Sequence, residues 1–142
     1  MTEKVLLVDD EVEFLEIMSE RMKARGIEVT TSTSAQEALE LIHTESFDAV
    51  ILDFMMPEMN GLEALQAIKE KKPELQIILL TGHATVEKGV EAMKLGAMDV
   101  VEKPADLEAL AEKVKKAHDK KMLLVEKRDK DKVIEMLRKF GM

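Results

Sequence analysis

The sequence predicts an α/β domain in which a five-stranded parallel sheet carries helices on both faces. Three observations lead there. Short apolar runs rich in Val, Ile and Leu alternate with longer stretches at helical periodicity. The runs are nearly continuous in apolar residues, as strands buried on both faces are. A regular strand–helix alternation implies right-handed βαβ crossovers, and therefore parallel pairing.

The first run is Val5–Val8, followed by a helical stretch striped by Phe14, Ile17, Met18 and Met22, with Gly26 as its stop. Ile27–Thr31 is the second strand. Ser34 opens the next helix with Glu37 three residues on, the spacing of a capping box. Ala49–Leu52 is the third strand, and its helix is striped by Leu62, Leu65 and Ile68 and ends before Pro73. Ile77–Leu80 follows, then a helix striped by Val86, Val90 and Met93, with Gly96 behind it. Met98–Val101 is the last strand. Asp106 is the expected N-cap of a fifth helix facing inward through Leu107, Leu110 and Val114.

These elements make one domain over residues 1–120, with a C-terminal helical extension over 121–142. In the extension Met122–Val125 is apolar, 126–132 is wholly charged, and Val133, Ile134, Leu137 and Phe140 recur at helical spacing. The pattern allows a lengthened fifth helix or a further short helix after a break in the charged run. An apolar stripe of this kind is unfavourable if left in water. Packing back on the domain, pairing with a second chain (a homodimer through the extension) and service as an interrupted linker all answer it.

Composition narrows the function classes. Apolar residues are 46% and charged residues 35%, a globular balance that argues against disorder. Without cysteine there is no disulfide, thiolate metal site or cysteine nucleophile. No stretch reaches the ~20 apolar residues of a membrane span, and no export signal is evident, so the expected location is the cytoplasm, with no membrane partner. Residues 1–112 carry 24 acids and 10 bases, whereas 113–142 carry 5 and 11. An acidic body argues against direct nucleic-acid binding. The eleven methionines are expected to be mostly core filler.

In a doubly wound sheet the functional crevice lies at the carboxyl ends of the strands. Strand one there ends in Asp9-Asp10, strand three in Asp53, strand four in Thr81, and strand five in Lys103-Pro104. Each alone has an ordinary structural use as a cap, turn or strand end; each at the end of its own strand, they form a set. If strands one and three are neighbours, three carboxylates converge, which is costly unless a cation shares the site. Mg²⁺ suits it, since it takes one or two carboxylates, retains waters and leaves a position for a phosphate oxygen. A carboxylate can attack phosphorus to form an aspartyl-phosphate, with metal and lysine neutralising the transferring group and Thr81 hydrogen-bonding the new phosphoryl oxygen.

These residues closely resemble the receiver domain of two-component response regulators. The matching pieces are Val5 to Glu11, Ile51 to Gly61, Leu80 to His83, Gly96 to Asp99 and Glu102 to Pro104, within about residues 3–118. The resemblance implies a flavodoxin-like fold with strand order 2-1-3-4-5 and phosphotransfer to Asp53 from a sensor histidine kinase or phosphotransfer protein. It implies direct Mg²⁺ ligation by Asp10, Asp53 and the Met55 carbonyl, with Asp9 acting through a water. Lys103 and Thr81 would contact the phosphoryl group, and Pro57 and Gly61 would shape the loop after strand three. The readout is a downstream effector protein bound through an altered surface. Leu80–His83 and Gly96–Pro104 look most like receivers of ATPase-type transcription activators, so the chain is a stand-alone receiver or a fragment of such an activator.

Two positions depart from the family. Val100 stands where an aromatic usually accompanies the threonine shift, and Ala105 stands where Phe usually follows Lys-Pro. Val100 bears on the relay to the outer face; His83, beside the site, bears on access of water. Catalysis beyond assistance to its own phosphorylation and dephosphorylation is not expected. A phosphatase using an aspartyl-phosphate would want a nucleophile-x-Asp motif after strand one and a capping insertion, which Asp9-Asp10-Glu11 and the short loops do not offer. An adaptor that no longer takes phosphate would have no need of the full residue set.

Overall fold

The computed structural model describes residues 2–56, 59–82 and 85–141. Its elements alternate: β1 (Lys4–Val8), α1 (Val12–Lys23), β2 (Glu28–Ser32), α2 (Ala35–Thr44), β3 (Ala49–Asp53), α3 (Gly61–Lys71), β4 (Gln76–Thr81), α4 (Val86–Lys94), β5 (Asp99–Glu102) and α5 (Leu107–Lys139). All strand pairs are parallel, in the order β2-β1-β3-β4-β5. This is the flavodoxin-like arrangement, and the strands lie within one residue of their expected positions.

Period-2 alternation divides the inner strands between two cores. Leu6, Val8, Val50, Leu52, Ile77 and Leu79 face α2, α3 and α4, whereas Val5, Leu7, Ala49, Ile51, Ile78 and Leu80 face α1 and α5. Winding therefore reverses between β1 and β3, which places a crevice at their carboxyl ends.

Local signals behave as their chemistry requires. The hydroxyl of Ser34 accepts from Glu37 N at 3.1 Å, Asn60 accepts from Glu63 N at 2.9 Å and Asp106 accepts from Glu108 N at 3.0 Å. Ser34 makes half of a capping box, because its own N–H goes to Ser32 Oγ rather than to Glu37. Gly26 and Gly96 adopt φ of 81° and 101°, the left-handed region that ends a helix cheaply only with glycine.

Two expectations about faces are corrected. The stripe Val86, Val90 and Met93 is exposed, and α4 meets the sheet through Ala92. On α1 the buried set is Leu15, Met18, Ser19 and Met22, while Ile17 is exposed. Periodicity marks an apolar face but does not say which neighbour covers it. Among the described methionines, Met18, Met22 and Met56 are buried and Met59 and Met98 pack against the cores, whereas Met55, Met93, Met122 and Met136 are exposed.

The fifth helix runs without a break from Leu107 to Lys139. Its charged run 126–132 lacks apolar periodicity, but Glu, Lys and Arg are good helix formers and Glu126 and Lys130 stand at i,i+4. Leu110, Val114 and Ala117 are buried on the sheet. Beyond them the helix is clasped to the amino end of the sheet. His118 Nδ1 lies 2.7 Å from Asp48 Oδ1, Lys121 Nζ donates to Phe47 O at 2.6 Å, and Arg128 pairs with Glu74. Lys121, Val125 and Arg128 thus face the domain, and at 100° per residue Leu137 sits about 160° round from Lys121. Val133, Leu137 and Phe140 are 55%, 44% and 72% exposed. The stripe does not pack back on the domain. Among the described residues no helix is long and apolar enough to cross a membrane.

Candidate functional site

The carboxyl ends of β1, β3, β4 and β5 bring together Asp9, Asp10, Asp53, Thr81 and Lys103. One carboxylate oxygen from each of Asp9, Asp10 and Asp53 lies within 4.8 Å of the others. Asp9 is fully buried, Asp53 nearly so, and Asp10 is exposed. Parallel pairing of Leu7 with Ile51 and of Val8 with Leu52 sets the ends of β1 and β3 side by side.

Asp9 is satisfied on both oxygens. Oδ1 accepts from Glu11 N at 2.9 Å, the Asx turn that leads into α1, and Oδ2 accepts from Lys103 Nζ at 2.7 Å. The ordinary turn role and the site role therefore coexist in one residue. Lys103 also stands 3.7 Å from Asp53 Oδ1 and 3.8 Å from Glu11 Oε1. Its ammonium lies 4.5 Å from the centre of the Phe14 ring, a cation–π contact. Burial alone would pull Lys103 down. The hydrogen bond with Asp9 and the charges of Asp53, Asp9 and Glu11 outweigh it and hold the group above its usual value.

Asp53 is pushed up to about 6. Desolvation is the main cause and the charge of Asp9 adds to it; Lys103 and the N–H of Met55 pull back, and Asp10 pushes up again. One ammonium does not balance three carboxylates. The set suits a hard divalent ion. Two oxygens at about 2.1 Å from one Mg²⁺ are at most about 4.2 Å apart, so a cluster spanning 4.8 Å needs only small adjustment or one ligand acting through water.

Thr81 is buried at the end of β4, and its carbonyl accepts from Lys103 N at 2.8 Å, tying the ends of β4 and β5 together. The loop after β3 is held by Phe54 N donating to Leu80 O at 2.7 Å and Gly61 N donating to Phe54 O at 2.6 Å. Gly61 is required there by space. A Cβ on it would stand 2.8 Å from Phe54 Cα.

Not every expected residue joins the cluster. Met55 lies two residues past Asp53 with its side chain 66% exposed, and its N–H, rather than its thioether, touches Asp53. Val100 pairs in register with Leu79, half-buried, away from the carboxylates and beside the exposed face of α4. Pro57 and His83 lie outside the described residues. Two contributors were not singled out from sequence, Glu11 and Phe14. Glu11 extends the acidic pair, and Phe14 lies in the first turn of α1, where its ring meets the ammonium of Lys103.

A five-stranded sheet with this acidic crevice defines a receiver-type signalling domain. The family model for the response regulator receiver domain matches residues 5–115, and the chain belongs to that family. The transcriptional regulatory protein ZraR of Escherichia coli (strain K12) is 34% identical over 113 residues, covering 80% of this chain and 26% of that protein. A putative response regulator, NtrX-like, of Rickettsia bellii is 36% identical over 134 residues, covering 92% of this chain and 28% of that protein. The chain thus spans about a quarter of the length of these curated relatives. The crystal structure of a response regulator receiver domain protein from Clostridium thermocellum superposes with a TM-score of 0.81 at 34% identity, covering 86% of this chain and 98% of that one. Phosphorylation and Mg²⁺ binding are features of this family.

Proposed function

We propose that Asp53 accepts a phosphoryl group from the phosphohistidine of a sensor kinase or phosphotransfer protein, and that the modified domain is read by an effector. The observation that carries this is the cluster of Asp9, Asp10 and Asp53 with Lys103 as its cation. With its carboxyl at about 6, Asp53 is ionised at neutral pH and can attack phosphorus. A P–O bond to Asp53 forms as the P–N bond to the donor histidine breaks. Lys103 stands beside both Asp9 and Asp53, positioned to hold negative charge on the transferring group. The Thr81 hydroxyl, on the adjoining strand end, hydrogen-bonds the attached phosphoryl group.

Asp10, Asp53 and the Met55 carbonyl would hold Mg²⁺, with Asp9 acting through a water. The ion supplies charge neutralisation and a coordination position for a phosphoryl oxygen. The chain catalyses nothing beyond its own phosphorylation and dephosphorylation. Incubation with acetyl phosphate and Mg²⁺ is expected to add one phosphoryl group to the wild-type chain by mass, and none to Asp53→Asn. Equal gain in both, or none in wild type, would overturn the assignment.

The coverage of the relatives favours a second form of the same reading, in which residues 1–120 are the receiver unit of a longer transcription activator. The effector is then another part of one polypeptide. Otherwise it is a separate protein, and the exposed face formed by Val86, Val90 and Met93 beside Val100 suits such a contact. The acidic body gives no electrostatic basis for direct nucleic-acid binding, and the location that fits a kinase partner is the cytoplasm.

The extension 121–142 is proposed to pair with a second copy. Its stripe faces away from the domain, and Glu126 and Asp129 run beside Lys127 and Lys130, a self-complementary pattern. Sedimentation should show concentration-dependent dimers for the full chain and monomers for a 1–120 form and for Leu137→Glu/Phe140→Glu. A monomeric full chain rejects the pairing.

A further inference from the structure

At the end of the sheet opposite the acidic crevice lies a cavity of about 330 Å³. It sits between the end of α2, the turn into β4 and the continuation of α5. Phe47, Leu75, Met122 and Val125 form an apolar wall, and Lys72 and Lys121 stand at its margin. The volume is at the small end of the range for ligand sites. Phe47 precedes β3 and Asp53 ends it, so at about 3.3 Å per residue the two sites are roughly 20 Å apart.

Lys121 is the informative residue. Its ammonium donates to Ser46 Oγ at 3.0 Å and to Phe47 O at 2.6 Å, both uncharged acceptors. An ammonium has three N–H groups, so one donor remains. Among the described residues Lys121 forms no ion pair, and Lys72 has neither an ion pair nor a side-chain hydrogen bond. The other charged groups at the cavity are occupied: Arg128 pairs with Glu74 and Lys4 with Glu45. Burial draws Lys121 below its usual value, Asp48 and Glu74 draw it back, and the charge of Lys72 lowers it further. Two ammonium groups without an ion pair therefore border the cavity, with Asp48 and Glu74 acting on Lys121 only at longer range.

We propose that this cavity binds a small amphipathic carboxylate, with its anionic end on Lys121 and Lys72 and its apolar body against Phe47, Leu75, Met122 and Val125. A purely apolar ligand would leave the third Lys121 donor unanswered. Inorganic phosphate would leave the wall uncovered, and its second charge would meet Glu45 and Glu74 at the same margin. Phe47 and Leu75 belong to the body of the domain, whereas Met122 and Val125 belong to the continuation of α5. A bound carboxylate bridges the two and favours the clasped helix by its differential affinity. Nothing in this depends on phosphorylation of Asp53.

The test is titration of the nitrogen-15-labelled full chain with 4-phenylbutyrate, and separately with its neutral amide, followed by amide chemical shifts. The expected result is saturable shifts confined to residues 42–47, 72–75 and 121–128, with dissociation in the millimolar range or tighter. The amide and Lys121→Gln should each bind at least tenfold more weakly. Lys121→Gln also loses its bonds to Ser46 and Phe47, so Lys72→Gln is the second variant. It should weaken binding several-fold and leave the spectrum of the free protein unchanged apart from its neighbours. Equal binding of acid and amide, shifts outside those segments, or no saturation up to the solubility of the acid would each overturn the proposal.

Discussion

Replacing Lys103 by methionine is expected to destabilise the metal-free protein by about 3 kcal/mol at neutral pH, the scale on which losing one partner strands a buried charge. Asp9 is fully buried and takes its Oδ2 hydrogen bond from this ammonium, which also stands 3.7 Å from Asp53. No other cation is paired to either carboxylate among the described residues. The deficit should shrink on adding Mg²⁺, which restores positive charge to the cluster. It should also shrink as pH falls towards 6, because without the Lys103 charge that lowers it Asp53 takes its proton at higher pH than in wild type. Denaturant unfolding with and without Mg²⁺ measures it. A loss below about 1 kcal/mol, within the range of surface pairs, would show that Lys103 does not hold the cluster together.

Asp53→Asn should act in the opposite direction. The folded-state value of Asp53 is raised from 3.8 to about 6, so its ionisation opposes folding. That penalty is absent below about 3.8, where both states are protonated, grows between there and 6, and is full above 6. The variant is therefore expected to gain about 1–2 kcal/mol at pH 7.5, after discounting for screening by water and ions, and nothing near pH 3.5. The same profile in wild type and variant would remove both the desolvation of Asp53 and its repulsion by Asp9 from the account.

Gly61→Ala is expected to destabilise by about 2 kcal/mol, in the range for forcing extra volume into a packed site. The added Cβ would lie 2.8 Å from Phe54 Cα and 3.1 Å from Phe54 O, both backbone atoms, and the 2.6 Å hydrogen bond from Gly61 N to Phe54 O prevents easy retreat. Because Phe54 follows Asp53 directly, the displaced loop should also slow phosphorylation by acetyl phosphate. Gly89→Ala is the control. It lies inside α4 with nothing within 4 Å of its would-be Cβ, so the better helix former should stabilise by about 0.5–1 kcal/mol. Similar losses in both variants would assign the effect to chain conformation rather than to contact with Phe54.

Much of the fold was legible because its signals are local. Caps at Ser34 and Asp106, stops at Gly26 and Gly96, and the apolar runs of the inner strands act over three or four residues. The acidic pair, Asp53, Thr81 and Lys103 were legible as strand-end residues once the alternation of elements was recognised. What periodicity could not settle was which way an apolar face turns. Val86, Val90 and Met93 read as core and lie exposed, since the small face at Ala92 lets α4 approach the sheet. Phe14 packs against the core as its stripe position suggests, but that its ring also lies against the ammonium of Lys103 was not legible.

By itself the chain's order of residues determined the strands, the helices with their ends, and the chemical types gathered at the crevice, because each depends on neighbours a few positions away. Only the tertiary structure decided that Lys103 serves Asp9 across 94 positions and that His118 meets Asp48 across 70. It also decided that the charged run of α5 stays helical, clasped through Lys121 and Arg128, with its apolar stripe turned outward. Contacts of that kind depend on how strands are ordered in the sheet and on the rotational phase of a helix, and neither quantity is written in any local stretch of residues.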